Sequence, residues 1–367
     1  MSEKIPKGWK WVKLGEVVTL QRGYDLPKTK MKKGDIPVVG SNGIIGYHNK
    51  ATTKAPGITI GRSGNIGNAY LHKSDFWAHN TTLYVKDFKG NDVIFLFYLF
   101  KNIDFNQLNA GSAVPTLNRN HIYPIEVKIP IRIEDQKAIA EVLSSIDDKI
   151  DLLHRQNKTL EEMAMALFRQ WFIEPTKDGL PEGWEEKALD EIAEFLNGIP
   201  SQKYHGDKLP VIKIKEMREG ITESSDYCNN NVPEKYLVNS GDILFSWSGS
   251  LEVVIWFGSI GVLNQHIFKV TSLEYPKWFC YLSIKQHIEE FRAIAESKTT
   301  TMGHIQREHL SNTKVFIPPK IFFENYNKTM TPIFDKIIAN NAEIQTLDKL
   351  RDTLLPKLMS RELRVKV

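Results

Sequence analysis

One stretch of sequence occurs twice in this chain, element by element and in the same order, and this repeat restricts the fold more than any single motif does. Ile5-Pro6-Lys7-Gly8-Trp9 returns 175 residues later as Leu180-Pro181-Glu182-Gly183-Trp184. Each copy is followed by a short amphipathic segment, KLGEVVTL at 13–20 and ALDEIAEFL at 188–196. Farther along, Asn118-Arg119-Asn120-His121-Ile122 matches Gln306-Arg307-Glu308-His309-Leu310, and Val127-Lys128-Ile129-Pro130 matches Val315-Phe316-Ile317-Pro318. Asp148-Lys149-Ile150 then matches Asp335-Lys336-Ile337, while Leu160 and Leu167 match Leu347 and Leu354. Chance could supply one such match but not the ordered set. The chain is two copies of one unit, each a globular head followed by a long helix.

The helices are read from periodicity. Glu134–Phe172 contains neither Gly nor Pro, and apolar residues recur at Ile139, Val142/Leu143, Ile146, Ile150, Leu153, Leu160, Met163/Ala164, Leu167 and Trp171. Steps of three and four place them on one helical face. Such a helix is roughly 55–60 Å long at 1.5 Å per residue. A C-terminal helix over about Phe323–Arg361 carries Ile337, Ile344, Leu347, Leu350, Leu354 and Leu358, and Pro332 and Pro356 predict a kink at each. Two stripes of matched length should pack on each other. With the second head between them, an antiparallel pair is the simplest closure, with the heads at opposite ends and a pseudo-two-fold axis between them.

Within the first head, strands are expected at Ile36–Val39, Ile58–Ile60, Thr82–Val85 and Ile125–Ile129, with a helix over 92–103. In the second they are expected at Pro210–Ile214, Asp242–Ser246, Glu252–Trp256 and Ile267–Val270, with a helix over Pro276–Ala295. The fold class is therefore α+β: two pseudo-repeated mixed α/β heads separated by two long helices that form an antiparallel coiled coil. The segments are 1–133, 134–174, 175–320 and 321–367.

Composition narrows the function. Cys228 and Cys280 are the only cysteines, too few for a disulfide framework or a zinc cluster, and they suit a reducing compartment. No apolar signal core or membrane-spanning run is present, so a soluble cytoplasmic protein is expected. The net charge of +4 conceals a surplus of ten positive charges in 1–133. The next two segments, 134–174 and 175–320, each carry a surplus of four negative charges. A basic first head invites a polyanion. Two heads at a fixed spacing suit duplex DNA, whose strands are themselves two-fold related, and divergence between the heads implies different half-sites.

These features together resemble the specificity subunit of type I restriction–modification systems. The resemblance spans the chain. It rests on both I/L-P-x-G-W openings, on KIPIRIEDQKAIAEVLSSIDDKID, on FRQWF at the end of the first helix, and on LRDTLLPKLMSREL near the C-terminus. It implies that each head is a target recognition domain reading half of a split DNA sequence. It also implies that the helices space the heads and dock two methyltransferase subunits, with restriction/translocase subunits joining for cleavage. S-adenosylmethionine, ATP and Mg are then expected on those partners and no cofactor on this chain. The second helix departs from the pattern at its entry, KIFFENYNKTMTPIFDKI, where the first copy has EDQKAIA.

Candidate DNA contacts follow from chemistry: Arg, Lys, Asn, Gln, Ser and Thr read base edges, and Lys, Arg and backbone N–H groups hold phosphates. In the first head the candidates are Arg22, Lys28, Lys30, Lys32, Lys33, Asn42, His48, Lys50, Arg62, Asn65, Asn68, Asn80 and Arg119. In the second they are Lys203, Lys213, Lys215, Arg218, Trp247, Ser248, Gln265, Lys298 and Arg307. The repeated Arg119 and Arg307 suit a structural role equally well, since specificity should lie in what differs between heads. Partner contacts are expected along the stripes, at Ile150, Leu153, Leu160, Trp171, Phe172, Leu347, Leu354 and Leu358. Trp171-Phe172, as an exposed pair ending the helix, fits a core staple or a partner contact.

Enzyme motifs are weak. Gly61–Gly67 imitates a phosphate loop but lacks the Gly-Lys-Ser/Thr ending. Asp147-Asp148-Lys149 has a nuclease-like D-x-K pattern but falls on the charged helix face, where solvated surface is expected. His304 and His309 lack the spacing of a helical zinc pair, and no metal site is expected. A stand-alone methyltransferase or nuclease, or a coiled-coil protein adaptor, are the alternatives to a non-catalytic recognition subunit.

Overall fold

The computed structural model describes residues 6–108, 116–200, 205–222, 224–229, 231–297 and 303–365. The chain forms two compact units, Met1–Asp151 with Thr346–Val367, and Leu152–Gln345. Both long helices are divided between the units, so each unit owns one head and a piece of each helix.

The first unit opens with β1 (Trp9–Lys13), the one-turn helix α1 (Leu14–Val17) and β2 (Thr19–Arg22). It continues through β3 (Ile36–Gly40), β4 (Gly43–His48), β5 (Gly57–Gly61), β6 (Ala69–His72), β7 (Trp77–Ala78) and β8 (Thr82–Asp87). Then come α2 (Val93–Lys101), the short α3 (Arg119–Ile122), β9 (Glu126–Pro130) and the start of α4 (Ile133–Phe168). An antiparallel sheet runs β2-β8-β5-β6, a second runs β4-β3-β7 with β3 and β7 parallel, and β1 pairs with β9. All five residues of β5 are buried, and its one polar side chain, Thr59, lies 2.8 Å from His72 Nε2 through its hydroxyl. Asp92 caps α2 by accepting from Phe95 N at 2.8 Å, and the next turns bury Phe95 through Phe100.

The second unit repeats the plan. It contains β10 (Glu185–Ala188), α5 (Leu189–Ile192), β11 (Glu194–Asn197), β12 (His205–Ile212), α6 (Ile214–Glu219), β13 (Tyr227–Cys228) and β14 (Leu237–Val238). After these come β15 (Ile243–Ser246), β16 (Val253–Ile255), β17 (Gly261–Leu263), β18 (Ile267–Thr271), α7 (Lys277–Gln286), α8 (Ile288–Ser297), α9 (Arg307–Asn312), β19 (Lys314–Ile317) and α10 (Lys320–Met359). The sheet β11-β18-β15-β16 answers β2-β8-β5-β6, the parallel pair β12/β17 answers β3/β7, and β10/β19 answers β1/β9. The repeat read from sequence is a repeat of topology. Two local expectations change. Lys277–Ser297 is two helices broken at His287 rather than one, and Ile214 opens α6 rather than ending a strand.

The long helices pack antiparallel within each unit. In the first, Ile139, Ala140 and Leu143 of α4 share a core with Leu358 and Met359 of α10, and Arg351 Nη1 donates to Asp147 Oδ1 at 3.1 Å. In the second, Ala164, Phe168 and Phe172 share a core with Met330, Ile333, Phe334 and Ile337. Neither Pro332 nor Pro356 interrupts α10. The two helix entries are held differently. Buried Gln136 donates to Asn91 Oδ1 and Pro130 O and accepts from Asp92 N, whereas the α10 entry is held by Asn327 Oδ1, which accepts from Trp278 Nε1 at 2.6 Å.

The stripe residues are corrected accordingly. Ile150, Leu153, Phe172 and Leu358 are buried within the chain, so they are not free for a partner. Leu160, Leu347 and Leu354 are half-buried. Phe172 lies against Phe168, Phe279, Phe323 and Tyr326, and Trp171 stacks on Tyr326 with centroids 4.3 Å apart and planes at 7°. The pair is a core staple. Asp147 is likewise no solvated surface acid, because it accepts from Tyr98 Oη at 2.6 Å as well as from Arg351. Burial first, then that hydrogen bond, pushes the Tyr98 phenol far above its ordinary range.

Candidate nucleic-acid interface

Three backbone segments meet in the first head, at the ends of β2, β5 and β7. Gly23 N donates to Thr82 O (3.0 Å), Arg62 N to Thr81 O (2.8 Å), and Leu117 N to Arg62 O (2.8 Å). The chain after β2 runs against the turn after β7 so closely that a Cβ on Gly23 would lie 2.1 Å from His79 O. Only glycine allows that approach.

This frame carries Arg22, Arg62 and Asn80 to one place. Arg22 Nε and Arg62 Nη1 both point at Asn80 O, each at 3.4 Å. The nearest acid in sequence, Asp25, instead accepts from Asn80 Nδ2 at 2.6 Å. No carboxylate is paired with either guanidinium among the described residues. Burial and then the adjacent Arg22 charge lower the Arg62 pKa from its ordinary value. Beside them stands a half-exposed aromatic wall: Tyr24 meets Trp77 edge-on at 6.3 Å, and its hydroxyl is 3.2 Å from that of Tyr84. Two cations with ten N–H donors, sharing one backbone carbonyl and paired with no carboxylate among the described residues, form a site for anions or paired acceptors.

The second head builds the same frame. Gly198 N donates to Ile267 O (3.1 Å), Trp247 N to His266 O (3.2 Å), and Ile305 N to Trp247 O (2.9 Å). A Cβ on Gly198 would lie 2.1 Å from Asn264 O. Position by position, Asn197 stands where Arg22 does, Trp247 where Arg62 does, and Gln265 where Asn80 does. Trp247 Nε1 donates to Asn197 Oδ1 at 2.9 Å, and Gln265 Nε2 lies 3.1 Å from His266 Nε2. Exposure also agrees, with Arg22 and Asn197 exposed and the other four half-buried.

Other candidates separate into free and engaged groups. Lys28, Lys30, Lys32, Lys33, Asn42, Lys50, Asn65 and Asn68 are exposed in the first head. Asn68 lines a cleft of about 850 Å³ whose walls include Tyr98, Asp147 and Asp148, away from the arginine pair. His48 is buried: its Nδ1 accepts from Lys32 N at 2.9 Å and its ring meets Trp77, so it holds a loop rather than facing DNA. Ser248 is buried with its Oγ 2.9 Å from His266 Nδ1 and is equally withdrawn. Lys213 is paired with Asp226, Lys215 with Glu219 and Arg218 with Glu252, so these second-head cations are neutralised internally. Lys203 and Lys298 lie outside the described residues. Arg119 Nη1 donates to Leu20 O at 3.3 Å and Arg307 Nη2 to the equivalent Phe195 O at 3.0 Å, which makes the repeated arginines frame elements. Asn197 was missed in the sequence. The signal was present, since Arg22-Gly23 and Asn197-Gly198 keep the 175-residue offset of the openings.

Known proteins can now be set beside this geometry. Residues 6–162 and 181–350 match the type I restriction modification DNA specificity domain. The chain belongs to that family. The two matched segments are the two repeats, and each contains one frame. A type I restriction enzyme MjaIX specificity subunit from Methanocaldococcus jannaschii is 28% identical, with 99% of this chain and 95% of that protein covered. A type I restriction enzyme HindI specificity subunit from Haemophilus influenzae is 23% identical over 70% of this chain and 72% of its own length. A crystal structure of an S subunit from M. genitalium superposes with a TM-score of 0.58, covering 98% of this chain and 97% of that one at 18% identity, a likeness of fold. The chain is thus a specificity subunit of the type I class. Among the described residues no group of metal-ligating side chains is found, and no helix is long and apolar enough to cross a membrane.

Proposed function

We propose that this chain is a non-catalytic recognition subunit that reads an asymmetric DNA sequence in two parts, one per head. It holds two methyltransferase subunits, and restriction/translocase subunits join the assembly for cleavage. S-adenosylmethionine, ATP and Mg belong to those partners, and the assembly works in the cytoplasm. The observation that carries this reading is the repeated frame with unlike side chains at two of its three positions, Arg22 and Arg62 in one head against Asn197 and Trp247 in the other, with an amide, Asn80 or Gln265, at the third. A scaffold built twice and decorated differently suits two different words on one duplex. The segment 134–174 carries a surplus of four negative charges, which disfavours a phosphate backbone and suits a protein neighbour.

Methylome sequencing of cells that carry this chain with its methyltransferase tests the proposal. A single split, non-palindromic methylated motif is expected, and replacing residues 10–125 should alter one half of it. A compact motif, or none, would overturn the reading, as would methyl transfer or cleavage by the isolated chain.

A further inference from the structure

Resting on that reading, we infer that the three equivalent positions 22/197, 62/247 and 80/265 are where each head reads base edges, and that Arg22 and Arg62 select a guanine in the first half-site.

The frame groups are alike in the two heads. Gly23 and Gly198 make the same close approach, and Arg119 and Arg307 bond equivalent carbonyls. The three decorated positions keep their exposure, and two of them, 22/197 and 62/247, change chemical class, while 80/265 stays an amide of different length. A position that grips phosphate has reason to stay cationic in both heads, because both face the same backbone. Here two guanidiniums are replaced by an indole and an amide that bond each other. Change of chemistry on a constant frame is the mark of readout.

In the first head the donors suit one base edge. Guanine offers O6 and N7 as paired acceptors in the major groove, the pattern that a guanidinium meets with two N–H groups. The Asn80 carbonyl draws both guanidiniums together, and no carboxylate neutralises them. Arg62 is half-buried beside a like charge, so an acceptor pair that relieves both groups is bound with a gain. In the second head Asn197 and Gln265 present amides, and no guanidinium stands at the three positions; the Arg62 position is filled by Trp247. Its half-site should therefore carry no guanine preference of this origin.

The test is selection from a randomised duplex library by the full chain, comparing the wild type with three double variants. Arg22→Asn with Arg62→Trp should erase a guanine preference of about tenfold or more in the first half-site and leave the second half-site unchanged. The unchanged half-site also shows that the variant is folded. Arg22→Lys with Arg62→Lys keeps the charge but loses the planar fork, and should lose guanine preference while the salt dependence of affinity stays the same. Asn197→Arg with Trp247→Arg should add guanine preference to the second half-site. If the arginine variants instead weaken binding uniformly over all sequences, with both half-site preferences intact, the pair grips phosphate and the inference fails. A wild-type chain that enriches no sequence would overturn the proposed function itself.

Discussion

Asn340, wholly buried on α10, donates its side-chain amide to Asn157 Oδ1 at 2.8 Å, and Asn157 on α4 is itself buried. Both stand in line with the apolar stripes, where Leu or Ile would pack. A polar pair in a helical seam costs stability relative to aliphatic residues but matches only one alignment of the helices. Asn157→Leu alone should destabilise the chain by about 1–3 kcal/mol, because it leaves the buried Asn340 amide with only the long 3.4 Å contact to Gln156 Oε1. Asn157→Leu with Asn340→Leu should recover most of that loss in denaturant melts. Equal losses in the single and double variants would deny the pair any role in helix alignment.

Phe172 separates two accounts of the FRQWF segment by magnitude. Phe172→Ala should cost about 3–5 kcal/mol, the usual loss for a large aromatic removed from a packed core. Met163→Ala, at a position 44% exposed on α4, should change stability by no more than about 0.5 kcal/mol. A Phe172→Ala chain of unchanged stability that fails only in subunit assembly would restore the partner-contact role.

His72 makes the first unit sensitive to acid. Burial lowers its pKa from 6.5 to about 4; its Nε2 lies 2.8 Å from Thr59 Oγ1 and its ring packs on Phe76. Between those values the unfolded chain binds a proton that the folded chain does not. The contribution is therefore complete above pH 6.5 and lost as pH falls toward 4, amounting to no more than about 3 kcal/mol. His72→Gln should flatten the dependence of melting temperature on pH over that window. An unchanged slope would mean that other groups set it.

The two close-approach glycines should fail separately. A Cβ at Gly23 or at Gly198 meets a carbonyl oxygen at 2.1 Å, so the backbone must move. Gly23→Ala should blur the first half-site alone, and Gly198→Ala the second alone, with about 1–3 kcal/mol of lost stability in each case. Library selection and thermal melting of the two variants read both effects. Loss of both half-sites from one substitution would show that the frames are not independent.

The repeat, the long helices and eight of the nineteen strands among the described residues were legible because they rest on periodicity and on residue identity at fixed offsets. Asn157 and Asn340 were not, since a polar residue inside an apolar stripe breaks the pattern that reveals the stripe. His48 and Ser248 read as surface donors because residue type does not disclose burial. The internal neutralisation of Lys213 by Asp226 and of Arg218 by Glu252 depends on loops that meet only after folding. Asn197 escaped notice because its meaning lies in its equivalence to Arg22, a relation between backbones rather than between letters.

The core of the first unit contains Leu358 and Met359, more than two hundred residues beyond its next-nearest members in sequence, Ile139, Ala140 and Leu143. A ribosome therefore releases the head containing Arg22 and Arg62 long before it delivers the residues that close that head's core. Until then the nascent head waits with an apolar face uncovered. The second unit, Leu152–Gln345, is a single continuous stretch and has no such delay. The first head's core is therefore complete only once the last turns of α10 have been made, and chaperone demand should fall on the head that is made first.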